Sequence, residues 1–289
     1  MKIIILGASG LIGNQIVNAG KNNHKIIGIY QKNKIKLDGI STHKINLIEN
    51  FDILKNLIKI EKPEIVINSA GISNIDFCEK FQKESYKINT ELPRNLTKIS
   101  LEYNFKLIQL STDYVFNGQK EEYLENDLVD PINFYGKSKS ESEKIVLKNS
   151  KNIVMRTSTI YGWNPQIRFF NYVLNQLKQD KLVKINHNGK NCPTLLDDLV
   201  RLIYGVIDLD FNGIFHGTGS SCISKKFFAE KIAQKFHLND ELIVLNDIDS
   251  TIAKRPQNTC LSNKKTKNET KIKLSTIDEG LEKIYKKNK

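Results

Sequence analysis

Lys2-Ile3-Ile4-Ile5-Leu6-Gly7-Ala8-Ser9-Gly10-Leu11-Ile12-Gly13 opens the chain. The run through Leu6 is apolar, as a parallel strand buried on both faces should be. Glycines at 7, 10 and 13 follow, then an apolar-periodic segment to about Ala19. Such glycines allow a tight turn, close approach of backbone to a pyrophosphate, and close packing of helix on strand. The helix that starts there offers free N–H groups to phosphate. A glycine triplet lodged between a strand and a helix is a dinucleotide-binding signature.

Working outward, the pattern repeats. A second strand runs from Lys25 to Tyr30 and a short third lies near His43–Ile45. Phe51, Leu54, Leu57 and Ile58 mark a helix face. Glu64 to Asn68 reads as a fourth strand, and Ile88, Leu92, Leu96 and Ile99 as the inward face of the next helix, with Asn89 beside it. Phe105–Leu110 and Asn152–Arg156 read as fifth and sixth strands. Successive strand-helix units predict an α/β fold with a doubly wound parallel sheet and a ligand beyond the strands' carboxyl ends. The dinucleotide-binding part is residues 1–160, with a returning segment near 189–218. A smaller substrate-binding region is residues 161–188 and 219–289. The second strand ends in Tyr30-Gln31-Lys32-Asn33, without the acid that usually binds an adenosine ribose, which favours NADP over NAD, with Lys32 as the phosphate ligand.

The fifth strand delivers Ser111 and Thr112 to that same edge. Beyond Pro131 comes Tyr135-Gly136-Lys137-Ser138-Lys139. On a helix, positions i and i+4 share a face, so Tyr135 and Lys139 point into one cleft. The ammonium is expected to favour phenolate and so tune Tyr135 as an acid-base group, while Thr112 holds a substrate oxygen. The spacing recurs at Tyr30/Lys34 and Tyr285/Lys289, so position along the fold decides among the three.

The 289 residues, 39% hydrophobic and 26% charged, read as a soluble globular chain. No apolar run reaches the roughly 20 residues that span a membrane. Met1 leads directly into the first strand without a charged leader, and Cys78, Cys192, Cys222 and Cys260 lie far apart and off zinc spacing. These features predict a cytoplasmic protein with reduced structural thiols and no metal. The net charge of +12 is scattered, and its densest cluster, Lys264 to Lys273, lacks interleaved aromatics. That argues for a solvated surface rather than nucleic-acid binding.

The chain resembles the extended short-chain dehydrogenase/reductases, and among them the dTDP-4-dehydrorhamnose reductase family. Ser111-Thr112-Asp113-Tyr114-Val115-Phe116 is the family-specific string, supported by Asn68-Ser69-Ala70-Gly71, Arg156-Thr157-Ser158, Cys192-Pro193-Thr194 and Arg255-Pro256-Gln257-Asn258. The resemblance implies NAD(P)H-dependent reduction of a 4-keto group on a nucleotide-linked deoxysugar. It implies Tyr135 as acid, Lys139 as its partner and a nicotinamide-ribose ligand, and Thr112 as substrate-oxygen ligand. Gly7, Ser9, Gly10, Leu11, Ile12, Gly13, Asn46, Leu47, Gly71, Ile72, Ser73 and Tyr135 would touch the cofactor. Thr112, Asp113, Thr159 and Arg255 would touch the substrate, Thr159 standing where relatives often carry tryptophan. A homodimer is compatible with this reading. Two other functions fit the same architecture: a sugar-nucleotide epimerase or dehydratase with tightly held NAD, or a non-catalytic regulatory subunit like the methionine adenosyltransferase β subunit.

Overall fold

The computed structural model describes residues 1–33, 39–246 and 252–287. Lys34 and Lys289, the lysines of the two competing Tyr-x-x-x-Lys spacings, lie outside the described residues. In chain order the first half contains β1 (Lys2–Leu6), α1 (Leu11–Gly20), β2 (Lys25–Tyr30), β3 (Ser41–Lys44), α2 (Phe51–Glu61), β4 (Ile65–Asn68), α3 (Ile75–Lys80), α4 (Gln82–Tyr86), α5 (Leu92–Tyr103), β5 (Lys106–Thr112) and α6 (Phe134–Val146). The second half contains β6 (Ile153–Thr157), β7 (Ile160–Tyr161), α7 (Arg168–Leu177), β8 (Val183–Ile185), β9 (Lys190–Asn191), β10 (Thr194–Leu195), α8 (Leu196–Asp208) and β11 (Gly213–His216). It ends with β12 (Ile223–Ser224), α9 (Lys225–Lys235), β13 (Ile243–Leu245), α10 (Lys264–Thr270) and α11 (Ile277–Lys287).

Seven strands form one sheet in the order β3-β2-β1-β4-β5-β6-β11, and every neighbouring pair is parallel. The chain winds one way from β1 through β2 to β3 and the other way from β4 onward. The change of direction leaves a crevice at the carboxyl ends of β1 and β4, where such folds bind ligands. Period-two alternation sets the packing. Ile3 and Ile5 face α1 and α8, whose Ile16, Val17, Leu199 and Ile203 join them in one core. Ile4 and Leu6 face α2 and α5 through Leu54, Ile58, Leu92 and Leu96. A third core joins α7, α9 and α11 through Phe170, Val173, Phe228, Ile232 and Leu281.

The helix expected through Ile88 to Ile99 is broken. Residues 87–91 form a π-turn, and α5 begins afterwards with proline in its first turn. Pro93 has no N–H with which to continue an α-helical ladder, and the wider turn absorbs the mismatch. The shift buries Asn89, which is 1% exposed.

The cysteines require a correction. Cys222 and Cys260, 38 residues apart, are joined as a disulfide, while Cys78 and Cys192 are free and buried. Distance in sequence hid a pair whose Cα atoms the fold brings to 5.5 Å. Disulfides are uncommon where glutathione keeps thiols reduced, so cysteine usage no longer argues for a reducing compartment. Among the described residues no helix is long and apolar enough to cross a membrane. We predict that denatured, unreduced protein takes up two alkyl groups, on Cys78 and Cys192, and four after reduction, as read by intact mass. Closing a loop of this length is worth about 4 kcal/mol in the chain-entropy account, so reduction should also lower the melting temperature.

Candidate active site

The floor of the crevice starts with β1. Gly7 turns the chain at φ +72°, and a Cβ there would meet the Ala70 nitrogen at 2.8 Å. Gly13 packs beneath, against the Gly7 carbonyl and Ser69. Gly10 is the N-cap of α1 but has no side chain to cap it, and the first turn of α1 carries no acid. The free N–H groups and positive end of α1 are therefore left for an anion, as a dinucleotide pyrophosphate would require. On the neighbouring strand, Asn68 donates to Gln109 at 2.8 Å and accepts from the Ala70 N–H at 3.2 Å. Asn89 clasps the next loop, accepting from the Ile72 N–H at 2.9 Å and donating to its carbonyl at 3.0 Å. It also donates to Ser138 on α6 at 3.3 Å. The π-turn thus ties the crevice floor to the helix that carries Tyr135.

That helix is capped by Asn133, whose side-chain oxygen accepts from the Gly136 N–H at 2.8 Å. Capping fixes its first turn, and with it Tyr135. Tyr135 is half-buried, edge-on to Tyr114 with ring centroids 6.1 Å apart. Burial pushes its phenol above the usual range, opposed by the Thr112 hydroxyl. Lys139 is 6% exposed and donates to the Leu110 carbonyl. Burial lowers its pKa from 10.5 to about 8, opposed by Glu143. This corrects the expectation that the ammonium draws the phenol down. Desolvation is the leading cause at both groups and favours both neutral forms. Tyr135 is consequently a protonated phenol at neutral pH.

Thr112 and Asp113 end β5. The Thr112 hydroxyl donates to Asp113 at 3.2 Å and accepts from the Tyr114 N–H at 3.2 Å. Asp113 also accepts from Ser158 at 2.8 Å and from Thr259 at 2.7 Å. Buried among hydroxyls, its carboxyl has a raised pKa, with desolvation the main cause. Behind this row lies a buried ion pair. Arg156 on β6 grips Glu143 on α6 through Nη2 at 2.8 Å and Nε at 3.0 Å, and Ser111 donates to the same carboxylate.

These elements enclose a cleft of about 1140 Å³. Its walls bring together Ser9, Gly10, Leu11, Ile12, Gly71, Ile72, Ser73, Thr112, Asp113, Tyr135, Lys139, Thr159 and Arg255. Five expected cofactor ligands, Lys32, Asn46, Leu47, Gly7 and Gly13, are not on those walls. Lys32 is exposed beyond β2. Asn46 turns its oxygen onto the Ile48 and Glu49 N–H groups. Leu47, 8% exposed, packs into the core under α2. Gly7 and Gly13 shape the loop from behind. Thr159 accepts from Asn191 at 2.8 Å, and Arg255 donates to Asp76 at 2.7 Å.

The RmlD substrate binding domain profile matches residues 1–289. The chain belongs to the RmlD substrate-binding domain family. The dTDP-4-dehydrorhamnose reductase of Aggregatibacter actinomycetemcomitans is 29% identical over 275 residues, 90% of each chain. The crystal structure of a hypothetical dTDP-4-dehydrorhamnose reductase from Sulfolobus tokodaii superposes with a TM-score of 0.86 at 31% identity, over 96% of this chain and 98% of that one. Methionine adenosyltransferase 2 subunit beta of Bos taurus is 26% identical over 269 residues, 89% of this chain and 79% of that protein. Other solved chains of the same fold carry NADP or NAD.

Within this RmlD-family cleft, sequence reasoning missed the Glu143–Arg156 pair and the clasp by Asn89. Glu143 sits four residues after Lys139, a spacing that puts the two on one helix face and offered the available clue. Breaking a buried ion pair by removing one partner costs about 3–5 kcal/mol. Glu143→Gln should therefore lose unfolding free energy of about that size in urea titration, because it leaves Arg156 uncompensated.

Proposed function

We propose that this chain reduces the 4-keto group of a nucleotide-linked deoxysugar with a reduced nicotinamide cofactor, as in dTDP-L-rhamnose synthesis. One observation carries the reading: the uncapped N-terminus of α1, the Thr112 hydroxyl, the Tyr135 phenol and the Lys139 ammonium converge on one cleft. A reduced nicotinamide bound there would supply the hydride for the carbonyl carbon. Negative charge then grows on the carbonyl oxygen, where Tyr135 donates a hydrogen bond and Thr112 adds one when its single hydroxyl proton turns from Asp113. Tyr135, kept protonated by burial, transfers its proton to that oxygen. Lys139 holds a positive charge near the developing phenolate and offers its ammonium to the cofactor ribose. Thr159 and Arg255 lie on the substrate side of the wall.

NADPH is favoured over NADH because no acid follows β2 before Asn33. A dehydratase or epimerase with bound NAD fits less well. Its additional proton transfers call for an available acid beside Thr112, and Asp113 is already occupied by three hydroxyls. A regulatory-subunit reading rests on similarity to the methionine adenosyltransferase protein and requires no turnover. The deciding experiment offers dTDP-, UDP- and GDP-linked 4-keto sugars to the purified chain and follows loss of NADPH fluorescence. Substrate-dependent oxidation supports the reduction. Cofactor binding without NADPH oxidation by any of these sugars overturns it and favours the regulatory reading.

General acid catalysis is typically worth about 10²–10⁴ in rate. Tyr135→Phe should lower kcat by about that factor on a good substrate while leaving the NADPH dissociation constant unchanged. Retention of full kcat, with chemistry rate-limiting, would remove Tyr135 from the role.

The pH profile is a separate check. Lys139 is charged below about pH 8, and Tyr135 is protonated throughout that range. Hence kcat/KM should fall as pH rises through about 8, a limb that belongs to the free enzyme. The same shift has an opposite sign for stability. The folded state binds fewer protons than the unfolded state between about 8 and 10.5, so Lys139 adds stability as pH rises across that window.

A further inference from the structure

Lys225 is the first residue of α9, after the N-cap Ser224, which accepts from the Phe227 N–H at 3.2 Å. A cation there faces the positive end of the helix dipole and is disfavoured by it. Its neighbour Lys226 has a partner in Glu230 at 3.7 Å. Among the described residues, Lys225 has neither a hydrogen bond nor an ion pair, although it is largely enclosed and lines the cleft. Burial lowers its pKa, Arg255 lowers it further, and Asp113 opposes.

Neither neighbour satisfies it. Asp113 is occupied by the Thr112, Ser158 and Thr259 hydroxyls. Arg255 gives Nη2 to Asp76 at 2.7 Å, but its Nη1 is buried with no hydrogen-bond partner. Two enclosed cations thus face the same wall with donors left over. An unsatisfied buried donor costs stability, and packing alone gains nothing from placing a second cation beside the first. A ligand oxyanion meets both needs.

We propose that Lys225 is a specificity residue that binds an oxyanion of the substrate on the Asp113 side of the cleft, next to the free edge of Arg255. The inference deepens the proposed function by assigning a charged group of the nucleotide-linked substrate to a particular side chain. The oxyanion is supplied by the diphosphate or by a carboxylate on the sugar.

Calorimetric titration separates these sources and requires no turnover. The probes are UDP, dTDP, UDP-glucose, UDP-glucuronate and, as control, NADPH, titrated into wild type, Lys225→Met and Lys225→Arg. If the diphosphate is the partner, Lys225→Met should bind UDP or dTDP about tenfold or more weakly, the size of one lost charge-assisted contact. If a sugar carboxylate is the partner, the variant should bind UDP equally well and lose a wild-type preference for UDP-glucuronate over UDP-glucose. In either case Lys225→Arg should restore most of the loss, and NADPH affinity should not change. Equal affinities for every probe in wild type and Lys225→Met would overturn the assignment. So would an equal loss of NADPH binding, or failure of wild type to bind any of the nucleotides. If the probes behave as expected but no 4-keto sugar is reduced, the proposed reaction falls and the oxyanion site stands.

Discussion

The buried bridge between Glu143 and Arg156 is the contact on which the reactive half of the molecule depends. Arg156 is 2% exposed and Glu143 3%, and two guanidinium nitrogens meet the carboxylate. In so dry a setting neither charge is tolerable alone. The remaining donors of Arg156 reach the Glu125 carbonyl at 3.2 Å and the ring of His216 at 3.3 Å. His216 stays neutral because burial and Arg156 press its pKa down to about 3, so it adds no second positive charge. The bridge fixes α6 against β6. Glu143 in turn opposes the burial that lowers Lys139. Without that carboxylate the ammonium would lose its proton at still lower pH.

From that anchor the cleft divides by rigidity. Thr112 ends a central strand, and Tyr135 and Lys139 ride the first turns of a capped helix, so their spacing is set by regular hydrogen bonding. The opposite wall is irregular chain. Arg255 and Thr259 lie on a segment without helix or strand, held by Asp76 and Asp113 at one side and by the Cys222–Cys260 bond at the other. Lys225 follows Cys222 by three residues and Cys260 follows Arg255 by five. The disulfide therefore joins the two segments that present these cations. Loops on a rigid frame are where binding selectivity usually resides.

Much of this was legible before any coordinates. β2 runs over the expected residues, and β1, β4, β5 and β6 fall within two residues of their expected bounds, because continuous apolar runs between glycines and prolines leave few alternatives. The Tyr135–Lys139 relation was legible because helical geometry is local. What stayed hidden depends on distant chain meeting distant chain. Cys222 and Cys260 become partners only when β12 and the segment after Arg255 are brought together. The direction of the Tyr135 shift depends on burial by residues from several elements. The surroundings of Lys32, Asn46 and Leu47 were hidden too: Lys32 is exposed, the Asn46 oxygen caps its own turn and Leu47 enters the core. Lys225 looked like any other lysine in a chain of lysines.

That abundance of lysine also shows why net charge alone says little about partners. The densest cluster belongs to α10 and the chain after it, where several lysines have protein partners. Lys264 meets Glu122 at 3.3 Å and Lys273 meets Glu279 at 2.6 Å. Lys265 turns inward to the Ile214 carbonyl at 2.7 Å and lies over the Phe215 ring. Exposed pairs of this kind add little stability, but they reduce the local positive potential that a polyanion would need. In the cleft, by contrast, the uncapped α1 terminus and Lys225 have no acid paired to them among the described residues, and Arg255, paired with Asp76, keeps a buried Nη1 without a partner. Surface charge is screened within about 10 Å at moderate salt, whereas enclosed charge is screened much less. A small anion with several oxygens at the cleft therefore gains more from this distribution than a nucleic acid lying along the surface.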